Sequence, residues 1–376
     1  MADGTPAAPP FDAVLVASSP SFAPVAGMRL IERAAFTLAR AGARRLLCLG
    51  APPAATLRWP DLATQWAAGA TAPEALPWIA GAAARVVVMD AACVTDAATV
   101  AALAAAGDPS PLRASDALLR VTPGLISEAT AAVAAASAAA TPPGTRPWTP
   151  PSDALVLRAS DVPGRAAAVR ALFARLGRPG DGWFTRLVDR RISRALTRLL
   201  LPTGVAPNTV TLTSIAIGVV AGGLFAVGGP GAGLAGALLF LASTIIDGCD
   251  GELARLTFRE SPFGARLDVI GDNVVHVAVF GGIAYGLYRT SHDPWVALAG
   301  WALVVGVLAS MAVVYLFVVR REPSTRQRAL FEAFASREFA YLLVLLTIAG
   351  KLHWFLWLSA VGTYAFVAGM ITLRRA

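Results

Sequence analysis

The stretch Asp247-Gly248-Cys249-Asp250-Gly251-Glu252-Leu253-Ala254-Arg255, continued by Gly264-Ala265-Arg266-Leu267-Asp268-Val269-Ile270-Gly271-Asp272, decides how this chain is to be read. Long apolar runs flank it on both sides, so its aspartates lie at the edge of membrane-like sequence. Ionisable groups near membrane depth are costly, and they mark sites that pair charges or bind ions. On a helix, Asp247, Asp250, Gly251 and Ala254 share one face, and Asp268 and Asp272 share another. Two adjacent helices can therefore aim four carboxylates into one pocket. An all-oxygen donor set of that kind suits a hard divalent cation such as Mg²⁺, Mn²⁺ or Ca²⁺.

Working outward, the apolar runs read as spans. Thr209–Ile246 contains no charged residue and is interrupted by Gly228-Gly229-Pro230-Gly231, which predicts two spans and a tight turn. A third span is expected from about Asp268 to Tyr288 and a fourth from Trp295 to Val319. Phe339–Leu373 is apolar apart from Lys351 and His353 and reads as two more, giving six. A mean hydropathy of +0.60 with only 15% charged residues agrees with a membrane protein. His276, one turn beyond Asp272, reads as a packed residue outside the site.

Just ahead of the spans, residues 183–200 predict an amphipathic helix lying in the bilayer interface. Its apolar stripe is Phe184, Leu187, Val188, Ile192, Ala195, Leu196 and Leu199, opposite Arg186, Asp189, Arg190, Ser193, Arg194 and Arg198. Arg191 falls inside the apolar stripe. It either points into the membrane domain and holds an anionic acceptor group, or snorkels to the headgroups.

The net charge of +8 could serve nucleic acid or an anionic membrane, and the placement of the arginines decides for the membrane. Arg255, Arg259, Arg266, Arg320, Arg321, Arg326, Arg328, Arg337, Arg374 and Arg375 fall on the same side of the spans as the aspartates, with Arg289 and Lys351 opposite. That asymmetry makes the basic, aspartate-bearing side cytoplasmic, in an inner or plasma membrane. No charged-then-apolar leader opens the sequence, so the first domain is also expected in the cytoplasm. Cys48, Cys93 and Cys249 have neither disulfide nor zinc spacing.

Residues 11–176 alternate short apolar runs with helical ones: Phe11–Ala17, Arg44–Leu49, Ala84–Met89 and Asp153–Leu157 as strands, and Met28–Ala43, Ala97–Ala106 and Gly164–Leu176 as helices. This predicts an α/β domain with a largely parallel sheet. The organisation expected is a soluble domain over 1–178, a juxtamembrane helix over 179–204 and an all-α six-helix transmembrane domain over 205–376.

The pattern D-x2-D-G-x2-A-R-x8-G-x3-D-x3-D, filled at every fixed position from Asp247 to Asp272, resembles the CDP-alcohol phosphotransferase family of membrane enzymes. The resemblance implies two divalent ions, Mg²⁺ or Mn²⁺, held by Asp247, Asp250 and Asp268. Asp272 is then the general base and a further ligand. It implies a CDP-linked donor bound by Asn208, Thr211, Gly251, Ala254, Arg255 and Gly264, an alcohol or polyol-phosphate acceptor for which Arg191 is the candidate phosphate contact, release of CMP, and a homodimer in the lipid bilayer. Small Gly251 and Ala254 allow a nucleotide to approach, and Arg255 offers a planar donor fork. A cation-binding transporter or a non-catalytic scaffold is the competing class, but Gly251, Ala254 and Arg255 have no use in an ion path.

The first half is similar, more loosely, to nucleotidyltransferases, through Gly27-Met28-Arg29-Leu30-Ile31-Glu32-Arg33, Leu38-Ala39-Arg40-Ala41-Gly42, and Asp90 at a strand end. Fusions of that kind resemble bifunctional enzymes that make and use CDP-inositol. Where such enzymes carry a glycine-rich loop with Arg and Lys, this chain has Ala17-Ser18-Ser19-Pro20-Ser21-Phe22-Ala23-Pro24, and its single lysine is Lys351. The expectation is therefore a degenerate, non-catalytic domain.

Overall fold

The structure is a computed structural model describing residues 10–52, 56–136, 141–177, 185–319, 324–334 and 339–373. Two compact units divide the chain, Met1–Arg175 and Leu176–Ala376. Trp183, Phe184, Arg320, Arg321, Arg337, Arg374 and Arg375, used above to place the interface helix and the basic side, lie outside the described residues.

The first unit runs β1 (Phe11–Val16), β2 (Pro24–Val25), β3 (Met28–Arg29), α1 (Leu30–Arg40), β4 (Ala43–Leu49), β5 (Ala63–Ala67), α2 (Leu76–Ala80), β6 (Val86–Asp90), β7 (Cys93–Thr95), α3 (Ala97–Ala105), β8 (Leu112–Ser115), β9 (Leu118–Val121), α4 (Ile126–Ala135), β10 (Arg146–Pro147), β11 (Val156–Arg158) and α5 (Val162–Ala174). A seven-stranded sheet has the order β10-β8-β9-β6-β1-β4-β5. β1 is an interior strand between β6 and β4, and Phe11, Ala13, Val14 and Leu15 have no exposed surface, as a strand covered on both faces requires.

The expected parallel sheet is present only in part. β5, β4, β1 and β6 run parallel, but β9 is antiparallel to both β6 and β8. The β8–β9 hairpin escapes a periodicity reading because its four-residue strands carry Arg113 and Arg120. Arg120 is nonetheless buried and donates to the carbonyls of Ala106 (2.6 Å) and Ser110 (2.8 Å). The predicted Asp153–Leu157 strand is also displaced: β11 pairs antiparallel with β7, apart from the main sheet.

The second unit opens with a π-turn, Thr185–Asp189, and α6 (Arg190–Leu200). It continues with α7 (Pro207–Val227), α8 (Pro230–Thr257), α9 (Pro262–Ser291), α10 (Pro294–Val314), α11 (Thr325–Phe334), α12 (Phe339–Ile348) and α13 (Leu352–Thr372). Five helices among the described residues are long and apolar enough to cross a bilayer: Pro207–Val227, Pro230–Thr257, Pro262–Ser291, Pro294–Phe317 and Leu352–Thr372. Their outward faces carry large apolar side chains such as Val220, Val277, Trp301, Leu308 and Val361, which a water-facing bundle would not expose. The chain is an integral membrane protein.

The expected sixth span is α12, described over 10 residues. At 1.5 Å per residue that covers roughly 15 Å, about half of the ~30 Å hydrocarbon core. Residues 335–338, directly before it, lie outside the described ones.

Local chemistry sets the helix ends. Gly228 and Gly229 take φ of +75° and +85°, open to glycine, and Pro230 then starts α8 without sacrificing a helical N–H. α7 packs against both α8 and α9. Small residues permit this: a Cβ on Gly282 would strike the Gly222 carbonyl, one on Gly286 the Phe225 carbonyl, and one on Gly236 would lie 3.0 Å from the Ala221 carbonyl. α7 thereby brings the carboxylate-bearing end of α8 and start of α9 to one place.

Candidate active site

Asp247 and Asp250 stand on α8, and Asp268 on the second turn of α9. α8 ends with Phe258 in the left-handed region, and Ser261 then caps α9 by accepting from the Gly264 N–H at 3.0 Å. The reversal folds the two helices back so that one oxygen from each of Asp247, Asp250 and Asp268 lies within 4.8 Å of the others. Asp247 and Asp250 are buried, and Asp268 is half-buried. Three carboxylates converging in an apolar setting repel one another, and a hard divalent cation is the chemistry that compensates them. The residues present fit such an ion.

The α7 side holds these carboxylates in place. Thr211 donates to Asp250 Oδ2, and Ser214 lies 3.4 Å from Asp247 Oδ1 while donating to the Thr211 carbonyl at 2.7 Å. Thr211, expected at the nucleotide, thus touches the carboxylate cluster itself. Asn208 lies beside Gly264: a Cβ there would meet Asn208 Oδ1 at 3.0 Å. The backbone at Gly264 is therefore open only because no side chain is present. Gly251, Ala254 and Arg255 are half-buried on the same end of α8.

Asp272 lies outside the three-residue group. It is exposed on α9, one turn on, and with Asp247 lines a cavity of ≈ 730 Å³ that also meets Ser214, Ser243, Phe240 and Val275. A carboxylate facing open volume beside the cluster can reach a hydroxyl brought into that volume. His276 also borders the cavity, and its ring stacks on Phe280 at 5.6 Å between centroids, as a packed histidine does.

Most of the apolar stripe of α6 is outward, as an interface helix requires: Ile192, Ala195 and Leu199 are exposed, together with Leu187 of the preceding turn, while Leu196 packs against Val210, Cys249 and Leu253. The polar side is docked instead, with Asp189, Ser193 and Thr197 buried. Arg191 is exposed with the stripe, and its neighbour Arg190 is the inward cation. Arg190 Nη1 lies 3.2 Å from Glu252 Oε1, and Ser193 and Thr197 each donate to Glu252 at 2.8 Å. Glu252 has no exposed surface. Sequence reasoning quoted Glu252 without giving it a role, although Arg190, Ser193 and Thr197 at intervals of three and four form a polar stripe that predicts a buried polar partner. Cys249 is buried, with Sγ 3.5 Å from the Ser193 carbonyl, a packing residue at the same contact.

In the first unit, Asp90 does end β6, but a cation already faces it. Arg158 Nη2 lies 2.6 Å from Asp90 Oδ2, and the Ala92 N–H donates to Oδ1 at 2.8 Å. Burial pushes the Asp90 carboxyl up from its ordinary value, against the pull of that N–H and of Arg158. The segment after β1 is a short 3₁₀ turn, Ser19–Phe22, in which the Ser18 N–H donates to Ser21 Oγ at 3.0 Å. Its polar atoms turn on one another.

Residues 204–371 match the family model for CDP-alcohol phosphatidyltransferase, and this segment is a domain of that family. Curated relatives include a bifunctional IPC transferase and DIPP synthase of Thermococcus kodakarensis, 36% identical over 132 residues, which make up 35% of this chain and 29% of the relative. The protein of the same description from Rubrobacter xylanophilus is 38% identical over 128 residues, 34% of this chain and 28% of its own. The match thus spans less than a third of either relative. Among solved structures, Mycobacterium tuberculosis phosphatidylinositol phosphate synthase with CDP-DAG bound aligns over 48% of this chain and 92% of its own, at 21% identity and a TM-score of 0.38.

Proposed function

We propose that the membrane unit is a divalent-metal-dependent CDP-alcohol phosphotransferase. It moves a phosphoalcohol, such as phosphatidyl or phosphoinositol, from a CDP-linked donor to an acceptor hydroxyl and releases CMP. The observation that carries this reading is the convergence of Asp247, Asp250 and Asp268 within 4.8 Å, inside a domain matched by the family. Asp247, Asp250 and Asp268 would hold two ions, Mg²⁺ or Mn²⁺, with Asp272 as a further ligand. Bound there, the ions neutralise the donor diphosphate and the leaving CMP.

Asn208, Thr211, Gly251, Ala254, Arg255 and Gly264 take the cytidine diphosphate portion. Arg255 supplies a charge-assisted contact to phosphate, and the small residues allow close approach. Asp272 accepts the proton of the acceptor hydroxyl. The freed oxygen forms a bond to the phosphorus that carries the donor alcohol. The bond from that phosphorus to the bridging diphosphate oxygen breaks, and CMP leaves with the electron pair. Orientation of donor and acceptor in the cavity beside Asp272 supplies the rest of the rate.

The site and the first unit face the cytoplasm, where Arg255, Arg259 and Arg266 meet the anionic leaflet. The working form is a homodimer. The soluble unit ahead of the membrane domain supports a polyol phosphate as acceptor, by analogy with bifunctional fusions, and that unit is itself non-catalytic. CMP release measured over a panel of CDP-linked donors and alcohol acceptors with Mg²⁺ or Mn²⁺ tests the assignment. In the same assay Asp272→Asn should lower turnover by about 10²–10⁴-fold, the usual worth of a general base, while a CDP-linked donor still binds. Near-normal turnover in that variant would remove Asp272 from its role.

A further inference from the structure

We propose that Glu252 is a positioning residue for the carboxylate cluster: by anchoring α6 to α8 it sets the rotation of α8 that aims Asp247 and Asp250. The inference rests on reading the cluster as a metal site. The stretch from Asp247 to Glu252 is held from two sides. Toward α7, Thr211 contacts Asp250, and Ser214 lies 3.4 Å from Asp247. Toward α6, Glu252 receives Ser193 and Thr197 at 2.8 Å each and pairs with Arg190 at 3.2 Å, while Cys249 Sγ meets the Ser193 carbonyl at 3.5 Å. These six contacts, on opposite faces of fewer than two turns, leave that part of α8 little freedom to rotate.

Stability alone does not account for the arrangement. A fully buried ion pair loses about as much by desolvation as it gains by attraction, and apolar side chains of similar volume stabilise as well or better. What a buried, fully hydrogen-bonded charge supplies is a single permitted register, because any rotation leaves it unpaired. The lever is long. Side-chain tips lie roughly 5–6 Å from a helix axis, so a rotation of about 10° displaces a carboxylate oxygen by about 1 Å. A displacement of that size costs up to ~10²-fold in rate, and partners that orient metal ligands are typically worth 10–100-fold in metal affinity.

Mn²⁺ binding to the full-length chain in detergent, read from the electron paramagnetic signal of the free ion, tests this without relying on turnover. Thermal unfolding of each variant checks that it is folded. Glu252→Gln is expected to weaken Mn²⁺ about tenfold. Arg190→Ala is the discriminating variant. If the pair acted only through its charges, removing a cation would tighten Mn²⁺; if it positions α8, Mn²⁺ weakens here too. Opposite shifts in the two variants, or wild-type affinity in Glu252→Gln, overturn the proposal. Should either variant fail to fold, Thr197→Val removes one hydrogen bond and no charge; an affinity lowered about threefold supports positioning, and an unchanged one overturns it. Asp250→Asn separates the two levels of the argument. If it abolishes binding while Glu252→Gln does not alter it, the positioning role falls and the metal site stands. If Asp250→Asn binds Mn²⁺ like the wild type, the reading of the cluster falls and takes the positioning role with it.

Discussion

Arg190 and Arg191 are neighbours in sequence with opposite surroundings. The Arg190 side chain is 11% exposed against a carboxylate with no exposure, whereas Arg191 stands outside with Ile192 and Leu199. The helical wheel places Arg191 among apolar residues, and of the two directions open to it the outward one is the one seen in α6. In a membrane-interface helix the apolar stripe has lipid as an alternative partner, and polar side chains can claim the protein contact. A substitution series tells the two apart. An exposed cation contributes little, about 0–1 kcal/mol, so Arg191→Ala is expected to change the acceptor KM by no more than about fivefold. Arg190→Ala leaves Glu252 buried without its cation, and a loss of that kind costs about 3–5 kcal/mol of stability. Thermal unfolding and acceptor kinetics on both variants decide. A large acceptor KM effect confined to Arg191→Ala would return that residue to the acceptor phosphate. Glu252 shows the complementary blind spot: among the acids of one short motif, spacing says which share a face, but only packing says which face meets a helix from elsewhere in the chain.

At the scale of elements, close approach of α7 and α9 is what lets carboxylates from α8 and α9 meet, and it depends on missing side chains. A Cβ on Gly282 would strike the Gly222 carbonyl, while Gly281, the adjacent residue, has nothing within 4 Å of a Cβ. Gly282→Ala is therefore expected to destabilise the membrane unit by about 1–3 kcal/mol, as overpacking does, and to lower CMP release with it. Gly281→Ala should be neutral or slightly stabilising, since alanine is the better helix former. Equal thermal midpoints for the two variants would show that α7 and α9 do not depend on this contact. These helices were legible in the sequence because charge-free length and a Gly-Gly-Pro interruption are one-dimensional signals. The carboxylate cluster was legible for the same reason, since its aspartates fall on two stretches joined by a short reversal. What escaped was decided by pairing at a distance. The β8–β9 hairpin is only four residues a side, with arginine in each strand, and β11 joins β7 instead of the sheet. α12 is described over 10 residues, and the expected turn before α13 falls at Gly350, φ +66°.

For the molecule as a whole, the question is whether two units mean two activities. The first unit is a mixed seven-stranded sheet with an acid, Asp90, at the end of β6, but fold alone does not confer activity. The particular atoms argue against it. A phosphate-binding turn needs N–H groups aimed at the ligand and a cation nearby, and the segment from Ala17 to Ala23 contains neither glycine nor Lys or Arg. Its serines bond within the turn, with Ser18 N–H to Ser21 Oγ at 3.0 Å. Asp90, the acid best placed to hold a metal, is satisfied by Arg158 at 2.6 Å and by the Ala92 N–H at 2.8 Å, so a divalent ion would have to displace a guanidinium from a site that is 5% exposed. Full-length protein carrying Asp250→Asn, a variant expected to disable transfer by the membrane site, is accordingly expected to release no pyrophosphate from CTP when offered phosphorylated sugars or polyols with Mg²⁺ or Mn²⁺. Pyrophosphate formed with any one of those acceptors would establish the first unit as an enzyme. If release then rose further in Arg158→Ala, it would identify Arg158 as a restraint on Asp90 rather than a replacement for its metal.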